Sequence, residues 1–350
     1  QARSDMHGDL FTVLNTAHKQ EDGYQPISGI PRVHTYGTHT YRKGALVGHN
    51  LRVKLGDQKA FSGFTDFLDS NEFSAVNSYD FRDGMSRATG VDLTEFFEDW
   101  VFSPGLPCYV IDSFEVSASA GLYTVELTVR QLKANSDHFF SKIPLEVKFM
   151  DAQFNEYLET IEVGGEVSTF KLQIPINASY ATLNPTYNLN YAMTATDQVV
   201  KSASSLNNQG LLINGQVSTV TDSVYIRAQT YWAGPNISLR NAVNLGVRVT
   251  ANRYWRIDGI GDATVSFSGF YNAKKGENDF GLLKSSEDSI VVLHREKPEN
   301  PWEIYESPII NIGLLTDSLG GFRIENGALG EYTLAEYDSA FNESLFDFIG

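Results

Sequence analysis

The chain has 350 residues, of which 42% are hydrophobic and 12% aromatic, which is enough apolar material for packed cores and too much for a disordered chain. Asp and Glu number 43 against 27 Lys and Arg, and the resulting net charge of −16 argues against nucleic acid as a partner. The sequence contains no run of about 18 apolar residues, so we expect no membrane span. The single cysteine, Cys108, excludes an internal disulfide, and the length predicts two or three domains.

Residues 1 to 107 carry the signals of short amphipathic helices. Val47, Leu51 and Leu55 lie four residues apart, as on one face of a helix. The segment KAFSGFTDFLDS repeats this spacing with Phe61, Phe64, Phe67 and Leu68. Start and stop signals are found at Gly44 and Gly56, at Asn77 or Ser78 and Gly90, and at Asp92 with Glu95 before SPGLP. We therefore predict a helical bundle or the helical lobe of a larger domain.

The hydrophobic period changes from about 3.6 to 2 near Tyr109, as in YTVELTV, which predicts β-strands. Residues 108–196 are predicted to form an antiparallel β-sandwich. The polar stretch TDQVVKSASSLNNQG, 196–210, is typical of a linker. Residues 197–350 are predicted to form a second β-sandwich-like module with a short C-terminal tail, DSAFNESLFDFIG.

The motifs of four enzyme classes are absent from the sequence. It contains no G-x-S-x-G, no G-x-x-x-x-G-K-[ST] and no dinucleotide fingerprint. The H-E-x-x-H pair of zinc peptidases is also absent. His34 and His39 lie five residues apart, whereas ligands on one helical face are three or four apart, so we interpret them as loop or pocket-lining residues.

Residues 35 to 107 contain a series of sequence motifs whose order resembles that of a known family. TYGTHTYRKGALVGHNLRVKLGD is followed by FTDFL and then by FSAVNSYDFRDGMSRATGVDLTEFFEDWVFSPGLP. This order resembles the C-terminal part of the catalytic domain in zinc aminopeptidases of the aminopeptidase N family, which are gluzincin metallopeptidases. The resemblance implies that residues 1–107 are the helical lobe of a gluzincin catalytic domain. Together with the two antiparallel β-sandwich modules predicted from the strand pattern, the expected fold is multidomain α + all-β.

The same resemblance implies a catalytic role for one residue. In that family, the tyrosine of the Tyr-x-Lys-Gly-Ala element donates a hydrogen bond to the oxyanion of the tetrahedral intermediate, and the matching residue here is Tyr41. A phenol hydroxyl remains a donor at neutral pH, which suits this role. The alternative is that Tyr41 is a structural aromatic. Lys43 and Gly44 are expected to position the backbone and begin the helix.

The resemblance also implies what the chain lacks. The family's zinc ligands and substrate-amine motif precede the tyrosine, and neither is present here. We therefore expect a C-terminal fragment of a zinc aminopeptidase that removes N-terminal residues from peptides. Zinc is expected only in the full-length parent, and the chain alone is expected to be inactive. Its expected partners are the missing N-terminal half of the catalytic domain and, in the parent, peptide substrates.

The second β module stands where long family members carry a helical-repeat domain. This difference suggests a shorter, exported parent that is periplasmic, attached to the cell surface or secreted. A non-enzymatic alternative remains open, in which a helical lobe and two β-sandwiches form a binding or surface-display module whose active site has been lost. For residues 197–350 we expect binding, anchoring or oligomerisation rather than catalysis, because alternating strands without a polar cluster form a scaffold.

Overall fold

A computed structural model describes residues 2–119, 121–206 and 209–338. Within these residues the first helices and the loops between them lie between positions 2 and 102, and strands follow from Leu106 onward with one further α-helix among them. The fold is therefore α + all-β, as predicted. The predicted tail lies outside the described residues from position 339 onward.

The helical part contains six α-helices and three π-helical turns. Two of the turns are continuous with a helix on their C-terminal side, and the third extends a helix at its C-terminal end. In chain order the elements are α1 Ala2–Thr12, a π-turn Val13–Ala17, α2 His18–Gln20, a 3₁₀ turn Arg32–His34, a π-turn His39–Lys43, α3 Gly44–Leu55, α4 Asp57–Ser70, α5 Ser78–Thr89, α6 Thr94–Phe97 and a π-turn Glu98–Phe102.

The ends of α5 confirm two predicted signals. The Asn77 side chain accepts hydrogen bonds from the amides of Tyr79, at 2.8 Å, and Asp80, at 3.1 Å, while the Asp80 carboxylate accepts the Asn77 amide at 2.9 Å. This reciprocal capping box satisfies amides that have no partner within the helix. At the other end Gly90 has a φ of 67°, the left-handed conformation in which glycine commonly ends helices.

The first β-sandwich is built from two three-stranded antiparallel sheets. One has the order β1-β2-β5 and the other β4-β3-β6. Along β2 the predicted alternation is confirmed, because Val125, Leu127 and Val129 are buried. The strands are β1 Leu106–Ser119, β2 Leu122–Ala134, β3 Ile143–Asp151, β4 Glu156–Val163, β5 Val167–Ile174 and β6 Ala178–Leu183.

The second β-sandwich packs a seven-stranded sheet against a five-stranded one. The first sheet has the order β15-β14-β18-β12-β10-β7, with β11 beside β18, and the second has the order β16-β17-β13-β9-β8. Their facing side chains form a separate core that includes Trp255, Phe267 and Phe322. The elements are β7 Met193–Val200, β8 Ser204–Ser205, β9 Ile213–Val220, β10 Val224–Tyr231, α7 Leu239–Leu245, β11 Val247–Val249, β12 Tyr254–Ile260, β13 Ala263–Asn272, β14 Ile290–Arg295, β15 Glu303–Ile304, β16 Ile309–Asn311, β17 Leu319–Gly327 and β18 Gly330–Tyr337.

The interpretation of residues 196–210 as a linker is wrong. Strand β7 begins at Met193 and pairs with β10 along its whole length, from Met193 opposite Tyr231 to Val200 opposite Val224. The polar residues of this strand suggested a linker. One of them, Asp197, instead accepts a hydrogen bond from the buried Arg227 at 3.0 Å. The second sandwich therefore begins a few residues before position 197.

One hydrophobic core joins the helical part to both sandwiches. It includes Leu10 and Leu51 from the helices, Tyr109 from β1, and Trp232 and Trp302 from the second sandwich. Polar contacts follow the same path, since the side chain of Asn50 in α3 is bonded to the backbone of Asn190, just before β7. The three parts are packed together through a shared interior. Among the described residues, no helix is both long and apolar enough to cross a membrane.

Candidate active-site surface around Tyr41

Tyr41 lies in the π-helical turn that precedes α3. The sequence predicted a helix beginning near Gly44, and the structure begins it five residues earlier, at His39. The Tyr41 side chain is 61% exposed. Its hydroxyl has no hydrogen-bond partner in the part of the chain that the structure describes. Tyr41 is therefore held by its backbone, with its side chain free to contact another molecule.

Glu21 fixes the start of this helix from outside it. Its carboxylate, 3% exposed, accepts hydrogen bonds from the amides of Thr38 and His39 and from Nδ1 of His39, the last at 2.8 Å. A carboxylate at the N-terminus of a helix satisfies free amides and interacts favourably with the helix dipole. Gly37 makes this approach possible, because a β-carbon there would lie 2.5 Å from Cδ of Glu21.

Both ring nitrogens of His39 are engaged in this arrangement. Nδ1 donates to Glu21, while Nε2 accepts the amide of Gln25 at 3.3 Å. Burial lowers the pKa of His39, against the opposing effect of the Glu21 hydrogen bond. Burial alone would raise the pKa of Glu21, but the bonds from His39 and the two amides bring it below its ordinary value. We infer a neutral imidazole bonded to a charged carboxylate.

The two histidines weighed as metal ligands are not brought together. Nε2 of His34 lies 3.2 Å from the Asp22 carboxylate, whereas His39 points to Glu21 and Gln25. No group of three His, Cys, Asp or Glu side chains in the described ranges is arranged to hold a metal ion. The described residues therefore do not fit a zinc site.

Lys43 lies behind Tyr41, in the interior, with 1% of its surface exposed. Its ammonium donates to the carbonyl of Gln25 at 3.0 Å and to that of Ser103 at 3.4 Å. Burial lowers its pKa to about 7. These contacts join the Tyr41 turn to the loop before it and to the segment that leads into β1.

The surface around Tyr41 is an open depression of about 440 Å³. Two further apolar side chains on it are unusually exposed, Val33 at 80% and Tyr36 at 85%. Exposed apolar side chains that lie close together are typical of surfaces that bind another molecule. Arg42, on the same surface, is held by Asp9 at 2.8 Å.

Sequence reasoning singled out Tyr41 but missed Glu21. No local signal could have found it, because its partners lie 17 and 18 residues further along the chain. Lys43 was expected to position the backbone, and its bonds to two carbonyls agree with that expectation.

Comparison with known proteins gives one family for this region. Residues 14–100 match the Peptidase family M1 domain. This part of the chain is similar to the M1 peptidase domain. The match covers Glu21, Tyr41, Lys43 and helices α3 to α6, and it ends before β1.

The relatives that the chain is similar to are named as aminopeptidases. Probable aminopeptidase 2 of Sulfurisphaera tokodaii is 24% identical over 182 residues, which are 51% of this chain and 22% of that protein. Aminopeptidase N of Lactococcus lactis is 30% identical over 67 residues, 19% of this chain and 8% of that protein. The chain thus spans less than a quarter of either relative.

A solved structure gives a weaker likeness. Legionella pneumophila aminopeptidase A, crystallised with aspartic acid, aligns over 46% of this chain and 18% of its own, with a TM-score of 0.39 and 17% identity. The match to the M1 family agrees with the resemblance found in the sequence.

Proposed function

We propose that this chain supplies one side of the active site of a zinc aminopeptidase, in which Tyr41 donates a hydrogen bond to the oxyanion formed at the scissile carbonyl. The observation that carries the proposal is the position of Tyr41. It lies within the M1 match, and its exposed hydroxyl stands on a helix that is fixed from behind by Glu21 and Lys43.

The chemistry requires a donor that is held in place before the reaction begins. An oxyanion forms only as the carbonyl is attacked, so a donor aimed at that position stabilises the transition state more than the substrate. The Glu21 carboxylate fixes the first amides of the Tyr41 helix, and the Lys43 ammonium fixes the backbone on its inner side. The backbone that carries Tyr41 is therefore held in place before the reaction begins.

In this proposal the remaining catalytic groups lie outside the 350 residues. The metal ligands and general base belong to the N-terminal half of the catalytic domain, which covers the depression around Tyr41. The exposed side chains of Val33 and Tyr36 are available for that contact. The substrates are peptides with a free N-terminus, and an exported location stays a prediction from the sequence.

The experiment uses a longer protein that contains this chain and hydrolyses aminoacyl-arylamides. Removing one oxyanion donor typically lowers kcat about a hundredfold, so Tyr41→Phe is expected to do this while the bound zinc stays the same. Tyr79→Phe is the matched control, because Tyr79 is 53% exposed and lies in α5. An unchanged kcat in Tyr41→Phe would remove Tyr41 from the mechanism.

A second measurement uses the 350-residue chain alone. We expect no hydrolysis of aminoacyl-arylamides and no stoichiometric zinc, because its described residues do not form a metal site. Turnover or stoichiometric zinc would contradict the proposal that the other catalytic groups lie elsewhere. If the longer protein also lacks turnover, the non-enzymatic binding or display module becomes the better description.

A further inference from the structure

The second β-sandwich contacts the helix that leads to Glu21. The contact is made by residues 273–283, the docking loop, which connects β13 to the segment before β14. Nζ of Lys19 lies 2.9 Å from the Glu277 carboxylate, and the Asn278 amide donates to the Asn15 side chain at 2.5 Å. Both partners lie in the last turns of the first helical stretch, within six residues of Glu21.

The docking loop is held firmly by its own sandwich. The guanidinium of Arg253 binds the Asp279 carboxylate through two bonds of 2.8 Å, and these residues are 3% and 2% exposed. The Asp279 carboxylate also accepts the Asn272 amide at 2.8 Å. A buried bidentate pair of this kind fixes orientation as well as distance. The loop therefore presents Glu277 and Asn278 from a rigid base.

Two more bonds hold the far side of the loop. Arg248 donates to the carbonyl of Gly281 at 2.7 Å, and the Asn252 amide donates to the carbonyl of Phe280 at 2.9 Å. These side chains, from the segment between β10 and β12, donate hydrogen bonds to backbone carbonyls of the loop and leave it little freedom to move. Its contact with the helix is thus set by the sandwich.

The end of this helix links the docking loop to the Tyr41 turn. Glu21 follows Lys19 by two residues, and its carboxylate accepts the amides of Thr38 and His39 at the start of the Tyr41 helix. A shift of the helix end would move the Glu21 carboxylate. The amides that it holds, and the turn that they begin, would move with it.

We propose that the docking loop is a positioning element for Tyr41, and that Glu277 and Asn278 are positioning residues that act through Lys19, Asn15 and Glu21. The sandwich sets the place of the helix end, the helix end sets Glu21, and Glu21 sets the first turn of the Tyr41 helix. The catalytic consequence of this arrangement rests on the proposed function, whereas the mechanical link stands on the contacts alone.

The first test measures amide hydrogen exchange in the 350-residue chain. Glu277→Lys places two ammonium groups together, and we expect exchange at residues 38–43 to rise about threefold. The double variant Lys19→Glu with Glu277→Lys restores opposite charges and is expected to return exchange to the wild-type rate. Glu325→Lys is the control, because Glu325 pairs with Arg323 at 3.0 Å on the same sandwich, far along the chain from the loop.

The reference within each sample is α5, which the docking loop does not hold. Exchange in α5 should stay unchanged in Glu277→Lys. Equal rises at residues 38–43 and in α5 would mean general destabilisation and would overturn the proposal. An unchanged rate at residues 38–43 in Glu277→Lys would overturn it as well.

The second test measures kinetics in the longer protein. Glu277→Lys is expected to lower kcat about threefold with little change in KM, because a misplaced catalytic group stabilises the transition state less while substrate binding is largely kept. An unchanged kcat in Glu277→Lys, where Tyr41→Phe is impaired, would overturn the positioning role alone. An unchanged kcat in Tyr41→Phe would instead remove the proposed function, and the exchange data would still decide the mechanical link.

Discussion

The helical part and the second sandwich bury charge in different ways. In the sandwich, several buried charges form opposite pairs, such as Arg253 with Asp279 and Arg295 with Glu331, the latter at 2.5 Å. In the helical part, the Lys43 ammonium bonds only to backbone carbonyls, and no described carboxylate lies within ion-pair distance of it. Paired charges hold a loop over a wide pH range, whereas a lone buried ammonium makes its surroundings sensitive to pH near neutrality.

The largest expected effect comes from breaking a pair in the sandwich. Asp279→Asn leaves the Arg253 guanidinium charged and buried, and we expect a loss of about 3–5 kcal/mol in the free energy of unfolding. Urea unfolding of the 350-residue chain measures it. Glu325→Gln breaks an exposed pair and should cost about 1 kcal/mol or less. Equal losses in the two variants would show that burial does not distinguish these pairs.

The lone ammonium of Lys43 is tested by the pH dependence of stability. Its pKa is about 7 in the folded chain, against an ordinary value of 10.5, so between these values the unfolded chain binds more protons. Below pH 7 both states are protonated, and the contribution is flat. The free energy of unfolding should therefore rise with pH, by about 3 kcal/mol between pH 7 and 9.5.

Two variants isolate this effect. Lys43→Met should remove the rise, because no proton is then taken up at this position on unfolding. Lys59→Met, which replaces an exposed lysine on α4, should keep it. A rise of equal size in Lys43→Met and in the wild type would assign the pH dependence to other groups.

A smaller effect on stability is expected at Gly37, where the backbone and the Glu21 carboxylate lie close together. In Gly37→Ala the new β-carbon meets the Glu21 carboxylate, which must give up a bond to Thr38 or His39. We expect a loss of about 1–2 kcal/mol in thermal or urea unfolding. Gly48→Ala is the control of opposite sign, because its β-carbon has open space on an exposed position of α3 and alanine favours helix. Loss in both variants would point to a general intolerance of this helix.

Predictions from local patterns were confirmed where a single residue determines the start or the end of a helix. The Asn77 cap and the Gly90 stop depend on residues within the same helix, and both were visible in the sequence. The face of α4 was only half right. Phe67 is buried, but Phe61 is 56% and Leu68 is 67% exposed, because the neighbouring α5 covers only part of the predicted stripe.

Features that depend on distant partners could not be predicted. Strand β7 appeared to be a linker because its polar residues are satisfied by β10 and by Arg227, about 30 residues further on. The hydrogen bonds that Glu21 accepts from Thr38 and His39, and the ion pair of Lys19 with Glu277, leave no local pattern either. The resemblance to a family gave Tyr41 as a candidate, but only the tertiary structure shows which residues hold its backbone.

The smallest expected effect on stability is at Tyr41 itself. Replacement of a structural aromatic by alanine, such as Phe97, which is 1% exposed, should lower the free energy of unfolding by about 3–5 kcal/mol. Tyr41 is 61% exposed and its hydroxyl bonds to none of the described residues, so Tyr41→Ala should change the free energy of unfolding by about 0.5 kcal/mol or less. A loss above about 2 kcal/mol would favour the structural interpretation. A near-zero change would mean that Glu21, Gly37 and Lys43 hold the backbone of a residue whose side chain the fold of this chain does not need.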